Sequence, residues 1–206
     1  MTIGKIATSW AGTSGGPGLT QLFFDNPTTF GPISATEAQA AVNAMRTYWD
    51  AVKGLLPDDV TLTVSAVVDQ YNEVTGELVG TVTAATPPTT VAGTSAAAFA
   101  MASGIRVNLQ TTVIRNGRRV RGAQYLVPAA STVYAATGNV ASASRTTINT
   151  AGTAFLNALD TAGLRPVVWS RPLDADQPNG PRVGDLAEIT GWDASEKGAV
   201  LRGRRD

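Results

Sequence analysis

The chain contains no cysteine and no histidine. Without cysteine it can have no disulfide framework, thiol nucleophile, iron–sulfur cluster or thiolate zinc site. Without histidine it can have no Ser-His-Asp triad and no imidazole to bind a metal or transfer a proton. These absences exclude thiol and imidazole chemistry, and we expect no metal site and no cofactor.

Long apolar segments are also missing. No apolar run approaches the ~20 residues that span a bilayer. The first ten residues lack the charged segment and apolar core of a signal peptide. The sequence therefore predicts a protein that is made in a cytoplasm and has no membrane partner.

Charged residues are few, at 16% of the chain, and they are unevenly placed. Residues 1–103 carry 3 basic and 8 acidic side chains, whereas residues 104–206 carry 13 basic and 8 acidic ones. Either these charges pair within one fold, or the acidic face of one subunit meets the basic face of the next, as in rings and tubes. Direct nucleic-acid binding is not expected, because the net charge is zero and no aromatics alternate with the arginines.

Two segments have the periodicity of helices. Ser34 and Glu37 fit a capping box, which predicts a helix over 34–53 that Gly54 ends. A second helix is predicted over 147–162, after a loop at 128–146, with Gly163 as its cap. The apolar stripes that we expect in the core are Ala38, Val42, Met45, Trp49 and Val52 in the first helix, and Ile148, Ala151, Phe155, Leu159 and Ala162 in the second.

Most strand signals come in pairs. Residues 60–69 and 77–84 read as one hairpin, and residues 105–114 and 118–127 read as another around Asn116-Gly117. Shorter strands are expected at 3–10, 19–24, 167–169 and 199–201. Two helices are too few for a doubly wound parallel sheet.

We therefore predict a single α+β domain over 1–206, in which two helices pack on an antiparallel sheet or flattened β-sandwich built from hairpins. A jelly-roll-type β-sandwich is the alternative. The Gly-rich loop 11–18, the Pro-rich segment 85–95 and the loop 173–184 are candidate assembly arms.

The low charge and the many Ala and Thr residues predict a neutral surface that other copies or partners cover, hence a homo-oligomer. The acidic side of the contact would be the Asp58-Asp59 turn, or the turn that carries Asp69, Glu73 and Glu77. That second turn does not match a calcium-binding loop. The candidate basic interface residues are Arg118, Arg119 and Arg121 at the second hairpin and Arg202, Arg204 and Arg205 near the end of the sequence. The alternative for the hairpin arginines is a solvated tip that pairs with acids of the same fold.

Four strings resemble a known family when they are taken in this order. They are WAGTSGGPGLTQLFF at 10–24, GRRVRGAQYLVP at 117–128, VVWSRP at 167–172 and LRGRRD at 201–206. Together they resemble a family of small proteins encoded by tailed bacteriophages, many of which infect actinobacteria. Ala123 stands where the family pattern has another arginine, which weakens the basic motif as a binding determinant. The resemblance implies a role in the virion, near the tail or the head–tail junction, and no catalytic residues.

The function predicted from the sequence is therefore a non-catalytic virion structural protein that binds copies of itself and other virion proteins. A capsid or coat protein is one alternative. A receptor- or glycan-binding tail protein is another, and it would need an exposed platform formed by Trp10, Tyr134, Trp169 and Trp192. A third is a glycan-cleaving enzyme that uses two carboxylates drawn from Asp58, Asp59, Asp69 and Glu73.

Overall fold

The sheet is organised around its N-terminal strand, which pairs along both edges. The computed structural model describes residues 2–12, 18–26, 28–29, 31–72, 75, 77–96, 106–107, 112–115, 118–121, 125–126, 130 and 141–164. The strands are β1 (Thr2–Ala11), β2 (Gly18–Phe24), β3 (Thr61–Val64), β4 (Val67–Asn72), β5 (Leu78–Thr83), β6 (Val91–Ala92), β7 (Arg106–Val107), β8 (Thr112–Arg115), β9 (Arg118–Arg121) and β10 (Tyr125–Leu126). The helices are α1 (Ala35–Val52) and α2 (Ser142–Thr161), with a 3-10 turn over Lys53–Leu55.

Strands β1 to β6 form one antiparallel sheet. β2 pairs with one edge of β1, while β3 and β4 share its other edge. β5 pairs with β4, and β6 with β3. The α+β fold predicted from the sequence is confirmed, and the jelly-roll alternative is not what the described residues form, because this sheet packs against helices.

The predicted strand over 60–69 is interrupted in the middle. Between Lys5 and Thr8 of β1 there are two residues, whereas between their partners Asp69 and Val64 there are four, so two extra residues lie at the break around Ser65 and Ala66. The Ser65 amide still donates to Ala7 O at 2.8 Å. The Ser65 hydroxyl accepts from Val67 N and donates to Val67 O, both at 3.0 Å, which stabilises the break. Because two residues are inserted, the side-chain alternation is preserved across the bulge.

Helix α1 begins as its sequence predicts. Ser34 Oγ accepts from the Glu37 amide at 3.3 Å, and the Glu37 carboxylate accepts from the Ser34 amide at 2.7 Å, which completes the capping box. The predicted C-cap at Gly54 is wrong, because the chain continues from Val52 into the 3-10 turn and Gly54 has no positive φ.

Helix α2 begins earlier than predicted, within the segment expected to be a loop. Its first six residues are Ser, Ala and Thr with one arginine, Arg145, and they give no apolar periodicity to read. The hydroxyls of Thr146 and Thr147 instead donate to the carbonyls of Ser142 and Ala143, at 3.0 and 3.1 Å. These bonds satisfy the hydroxyls within the helix, so a polar sequence can still be helical.

The C-terminus of α2 confirms the predicted glycine cap. Gly163 has a φ of 74°, a conformation that a side chain disfavours. Its amide donates to Asp160 O, and the Leu164 amide donates to Leu159 O, both at 2.9 Å. This is a Schellman motif, and the leucines that flank it, Leu159 and Leu164, are both buried.

The core lies between the sheet and the helices. Ile6, Leu22, Leu62, Val64 and Val68 project from the sheet, and the predicted stripe of α1 is buried against them. The sequence predicted that both helices pack on the sheet, but helix α2 packs chiefly on α1. Tyr48 forms this helix–helix contact, with its ring 5.8 Å from that of Phe155 and edge-on to Trp49 at 5.1 Å.

Candidate interaction surface

The outer face of the sheet, which faces away from α1, carries a cation at its centre. Lys5 Nζ lies 2.7 Å from Asp69 Oδ2 and donates to Tyr71 Oη at 2.9 Å. The register places Lys5 directly opposite Asp69, so the pairing of β1 with β4 creates this contact. The ammonium also lies 5.2 Å from the centre of the Tyr71 ring, which favours the positive charge.

This contact determines the charge state of the lysine. Partial burial lowers the pKa of Lys5, but the hydrogen bonds to Asp69 and Tyr71 and the negative charge of Asp69 outweigh it, so the pKa lies above its ordinary value. The side chains of Lys5 and Asp69 are only 16% and 29% exposed. Asp69 is therefore already paired within its own chain.

Strand β5 forms one edge of the sheet, and its side chains are unusually apolar for that position. Leu78 is 55% exposed and Val79 is 57% exposed, and the neighbouring Val67 of β4 is 38% exposed. The strand, LVGTVT, contains no charge and no proline. Edge strands in monomeric proteins usually carry a charge, a proline or a bulge, because these features prevent pairing with other chains. Strand β5 has a bulge at Val79, where its register on β4 shifts.

The direction of the β5 backbone groups follows from its pairing with β4. Ala84 N donates to Ala66 O at 2.8 Å, so the alternation of an antiparallel ladder directs residues 82 and 80 toward β4 as well. Thr81 and Thr83 then direct their N–H and C=O groups toward the open edge. Among the described residues no strand pairs with this edge.

Gly80 lies at the middle of β5, beside the shift in register between β4 and β5. A Cβ built on Gly80 meets no atom within 4 Å, and its φ is not positive. Gly93 is the opposite case, since a Cβ there would lie 2.0 Å from Pro57 O. A glycine inside a strand often marks a bulge, and Gly80 adjoins the bulge at Val79.

The predicted acidic residues do not converge. Asp58 is exposed and Asp59 half-buried in the turn before β3, whereas Asp69 lies on β4. Thr61 pairs with Ala11 and Asp69 with Lys5, six positions apart on β1, which corresponds to roughly 20 Å. Asp58 and Asp59 therefore cannot form an acid–base pair with Asp69, and Glu73 lies outside the described residues.

The predicted basic residues fall partly within the described chain. Arg118, Arg119 and Arg121 lie on β9, which pairs with β8 so that Arg118 is opposite Arg115 and Arg119 is opposite Ile114. This register confirms the hairpin predicted around residues 116–117. The remaining predicted interface residues, Arg202, Arg204 and Arg205, lie outside the described residues, as does the loop 173–184.

The basic residues of the first half are all engaged locally. Residues 1–103 contain only Lys5, Arg46 and Lys53 as basic residues. Lys5 pairs with Asp69, while Arg46 and Lys53 lie 3.7 and 3.1 Å from the Asp50 carboxylate. The exposed Asp58 is therefore left without a basic partner from its own half of the sequence.

The glycan-binding alternative needs exposed aromatic rings, and Trp10, the first of the four residues predicted to supply them, is not exposed. Trp10 is buried in the core, and Trp49 is buried beside it with its indole N–H donating to Thr8 Oγ1 at 3.2 Å. The other residues of that platform, Tyr134, Trp169 and Trp192, lie outside the described residues.

The open edge of β5 was not identified from the sequence. The signal was available, because residues 78–83 contain neither a charge nor a proline and carry apolar residues at positions of both parities. What the sequence could not reveal is that this hairpin strand lies at the end of the sheet, since β1, over 60 residues earlier, takes the other side of β4.

Comparison with known proteins leaves the fold and this surface as the basis for any functional argument. No protein-family model matches the chain, and no match was found among curated proteins or among solved structures. In the part of the chain that the structure describes, neither helix is both long and apolar enough to cross a membrane.

Proposed function

We propose that this protein is a non-catalytic structural subunit of a tailed-bacteriophage particle, located near the tail or the head–tail junction. It would be made in the host cytoplasm and would assemble with copies of itself and with other virion proteins. The observation that carries the proposal is the edge of the sheet at β5, where Leu78 and Val79 are exposed and no strand pairs among the described residues. Such an edge gains both hydrogen bonds and apolar burial when another chain covers it.

The separation of charge along the sequence supports the same role. Asp69 is paired with Lys5, so we propose the exposed Asp58 as the acidic contact and Arg119 and Arg121 of β9 as its basic partners on a neighbouring subunit. Arginine pairs with carboxylates in a planar, two-point geometry, which gives such a contact specificity.

The experiment is assembly of the purified chain, followed by light scattering and negative-stain imaging. We expect rings or tubes that grow with protein concentration, whereas a coat protein would instead form closed shells. The double variant R119E/R121E should lose assembly while its far-UV circular dichroism stays unchanged.

The matched control is R119K/R121K, which keeps the charge but not the planar two-point geometry, and should assemble less well than the native chain but better than the reversal. Normal assembly by R119E/R121E would reject the arginine contact. A monomer at every concentration, alone and with the other proteins of the particle, would reject the structural role itself.

A further inference from the structure

The hairpin of β8 and β9 is rich in positive charge, because four of its eight strand residues are arginines. The subunit contact proposed above uses two of them, Arg119 and Arg121. We propose that the other two, Arg115 and Arg118, bind a backbone phosphate of double-stranded DNA without reading its sequence. This inference goes beyond the proposed function, and it can be tested on the purified chain whether or not that chain assembles.

The register of the hairpin places these two arginines side by side. Arg115 lies directly opposite Arg118, next to the turn at 116–117, so both residues lie on the same face of the hairpin. Residues in such a pair have Cβ atoms about 5 Å apart, and two like charges at this spacing destabilise the strand pair. An anion shared by both guanidinium groups removes that repulsion. A phosphate diester suits the position, because its oxygens accept from arginine forks in a two-point geometry.

The remaining arginines of the hairpin lie on its other face. Side chains alternate along a strand, so positions 119 and 121 of β9 share one face, while position 118 belongs to the opposite one. A neighbouring subunit that brings Asp58 to Arg119 and Arg121 therefore does not cover the Arg115–Arg118 pair. The two partners can bind the same hairpin at once, one on each face.

The net charge of zero, which predicts no nucleic-acid binding, conceals a positive segment in the middle of the chain. Residues 78–159 contain six arginines, no lysine and no acidic residue, so their net charge is +6. Residues 1–77 carry three basic and eight acidic residues. Contacts to the phosphates of a duplex depend on local positive charge, whereas aromatic residues are needed for stacking on single strands. The missing aromatics therefore count against single-stranded nucleic acid and not against a duplex.

The described acidic residues offer few carboxylates for this pair. Asp50 and Asp69 form ion pairs with basic side chains of the same chain, and the Glu37 carboxylate accepts from the Ser34 amide. Asp58 is assigned to the other face. Duplex DNA, by contrast, carries one phosphate charge per about 1.7 Å of its axis, so a pair of arginines meets a phosphate wherever the duplex lies against it. The observations therefore favour phosphate over carboxylate as the anion.

The test measures how the affinity for a duplex depends on salt, by fluorescence anisotropy of a labelled DNA duplex. Each neutralised phosphate contributes about 0.9 to the slope of log affinity against log salt concentration, so R115Q/R118Q should lower that slope by about 0.9. At roughly 0.1 M salt the same variant should bind about tenfold more weakly than the native chain. R115K/R118K should keep the native slope, because a lysine also neutralises a phosphate, as a point charge.

The control variant R46Q/K53Q removes the same number of positive charges from α1 and the turn that follows it. Its salt slope and affinity should equal those of the native chain, because Arg46 and Lys53 lie outside the positive segment. A second duplex of unrelated sequence should bind equally well, since phosphate contacts carry no sequence information. A strong preference for one duplex would overturn binding through the phosphates. Far-UV circular dichroism should be the same for all variants.

The remaining outcomes separate this inference from the structural role. No salt-dependent binding of the native chain to DNA, or equal slopes for the native chain and R115Q/R118Q, would overturn the inference. Loss of assembly by R115Q/R118Q with unchanged DNA binding would also overturn it and would give the pair to a carboxylate of another subunit. A chain that binds DNA through Arg115 and Arg118 but stays monomeric, alone and with the other proteins of the particle, would overturn the structural role and leave this inference intact.

Discussion

The tightest backbone contact in the described chain is the approach of Gly93 to the turn before β3. A Cβ on Gly93 would lie 2.0 Å from Pro57 O and 2.8 Å from Leu56 O. Both atoms belong to the backbone, so no side chain can rotate away. Gly93→Ala therefore requires the two segments to separate by roughly 1 Å or more to reach an ordinary contact distance.

The cost of that separation follows from the hydrogen bonds that hold the two segments together. Gly93 N donates to Val60 O at 2.8 Å, Asp58 N donates to Ser95 O at 2.9 Å, and Ser95 N donates to Leu56 O at 3.0 Å. Each bond contributes about 1 kcal/mol net. Loss of all three predicts that Gly93→Ala lowers the free energy of unfolding by about 3 kcal/mol.

Urea denaturation followed by tryptophan fluorescence measures this change, because Trp10 and Trp49 are buried in the core. Gly54→Ala is the matched control, since a Cβ on Gly54 meets nothing within 4 Å. The control should change the free energy of unfolding by no more than about 0.5 kcal/mol. Equal denaturation midpoints for the two variants would refute the steric argument.

Three further predictions concern the ends of the helices and the loop before α1. The hydrogen bonds that Glu37 accepts outweigh the effect of partial burial and hold the pKa of its carboxyl below the ordinary value of 4.5. The ionised Glu37 side chain therefore stabilises the fold above that pH. The difference in urea midpoint between the native chain and Glu37→Gln should shrink as the pH falls below 4.5. A constant difference from pH 7 to pH 3 would contradict this. The buried Gln70 amide accepts from Ile33 N at 2.8 Å and donates to Ile33 O at 3.4 Å, so Gln70→Leu should cost about 2 kcal/mol in the same assay, and an unchanged midpoint would show that water replaces the amide. Gly163→Ala should cost about 1 kcal/mol in thermal unfolding because it forces a side chain into a positive φ, and a melting temperature equal to that of the native chain would exclude that strain.

Features that depend on neighbouring residues were predictable from the sequence. The capping box at Ser34 and Glu37, the glycine cap at Gly163, the buried stripe of α1 and the hairpins around residues 73–76 and 116–117 each involve residues only a few positions apart. Their physical causes are backbone capping, helical periodicity and turn preference, which act whatever the rest of the chain does.

Features that depend on distant pairing were decided only by the tertiary structure. The sequence did not show that Lys5 would meet Asp69, that Gly93 would approach Pro57, or that β5 would end the sheet with its apolar side chains exposed. Each follows from which strands lie side by side, and many arrangements of the same strands bury similar apolar area. The sequence therefore determined the local elements of this protein. The long-range pairing of β1 with β4 determined which charges are neutralised. It also made β5 the outermost strand of the described sheet, because β4 has only two edges and β1 occupies one of them.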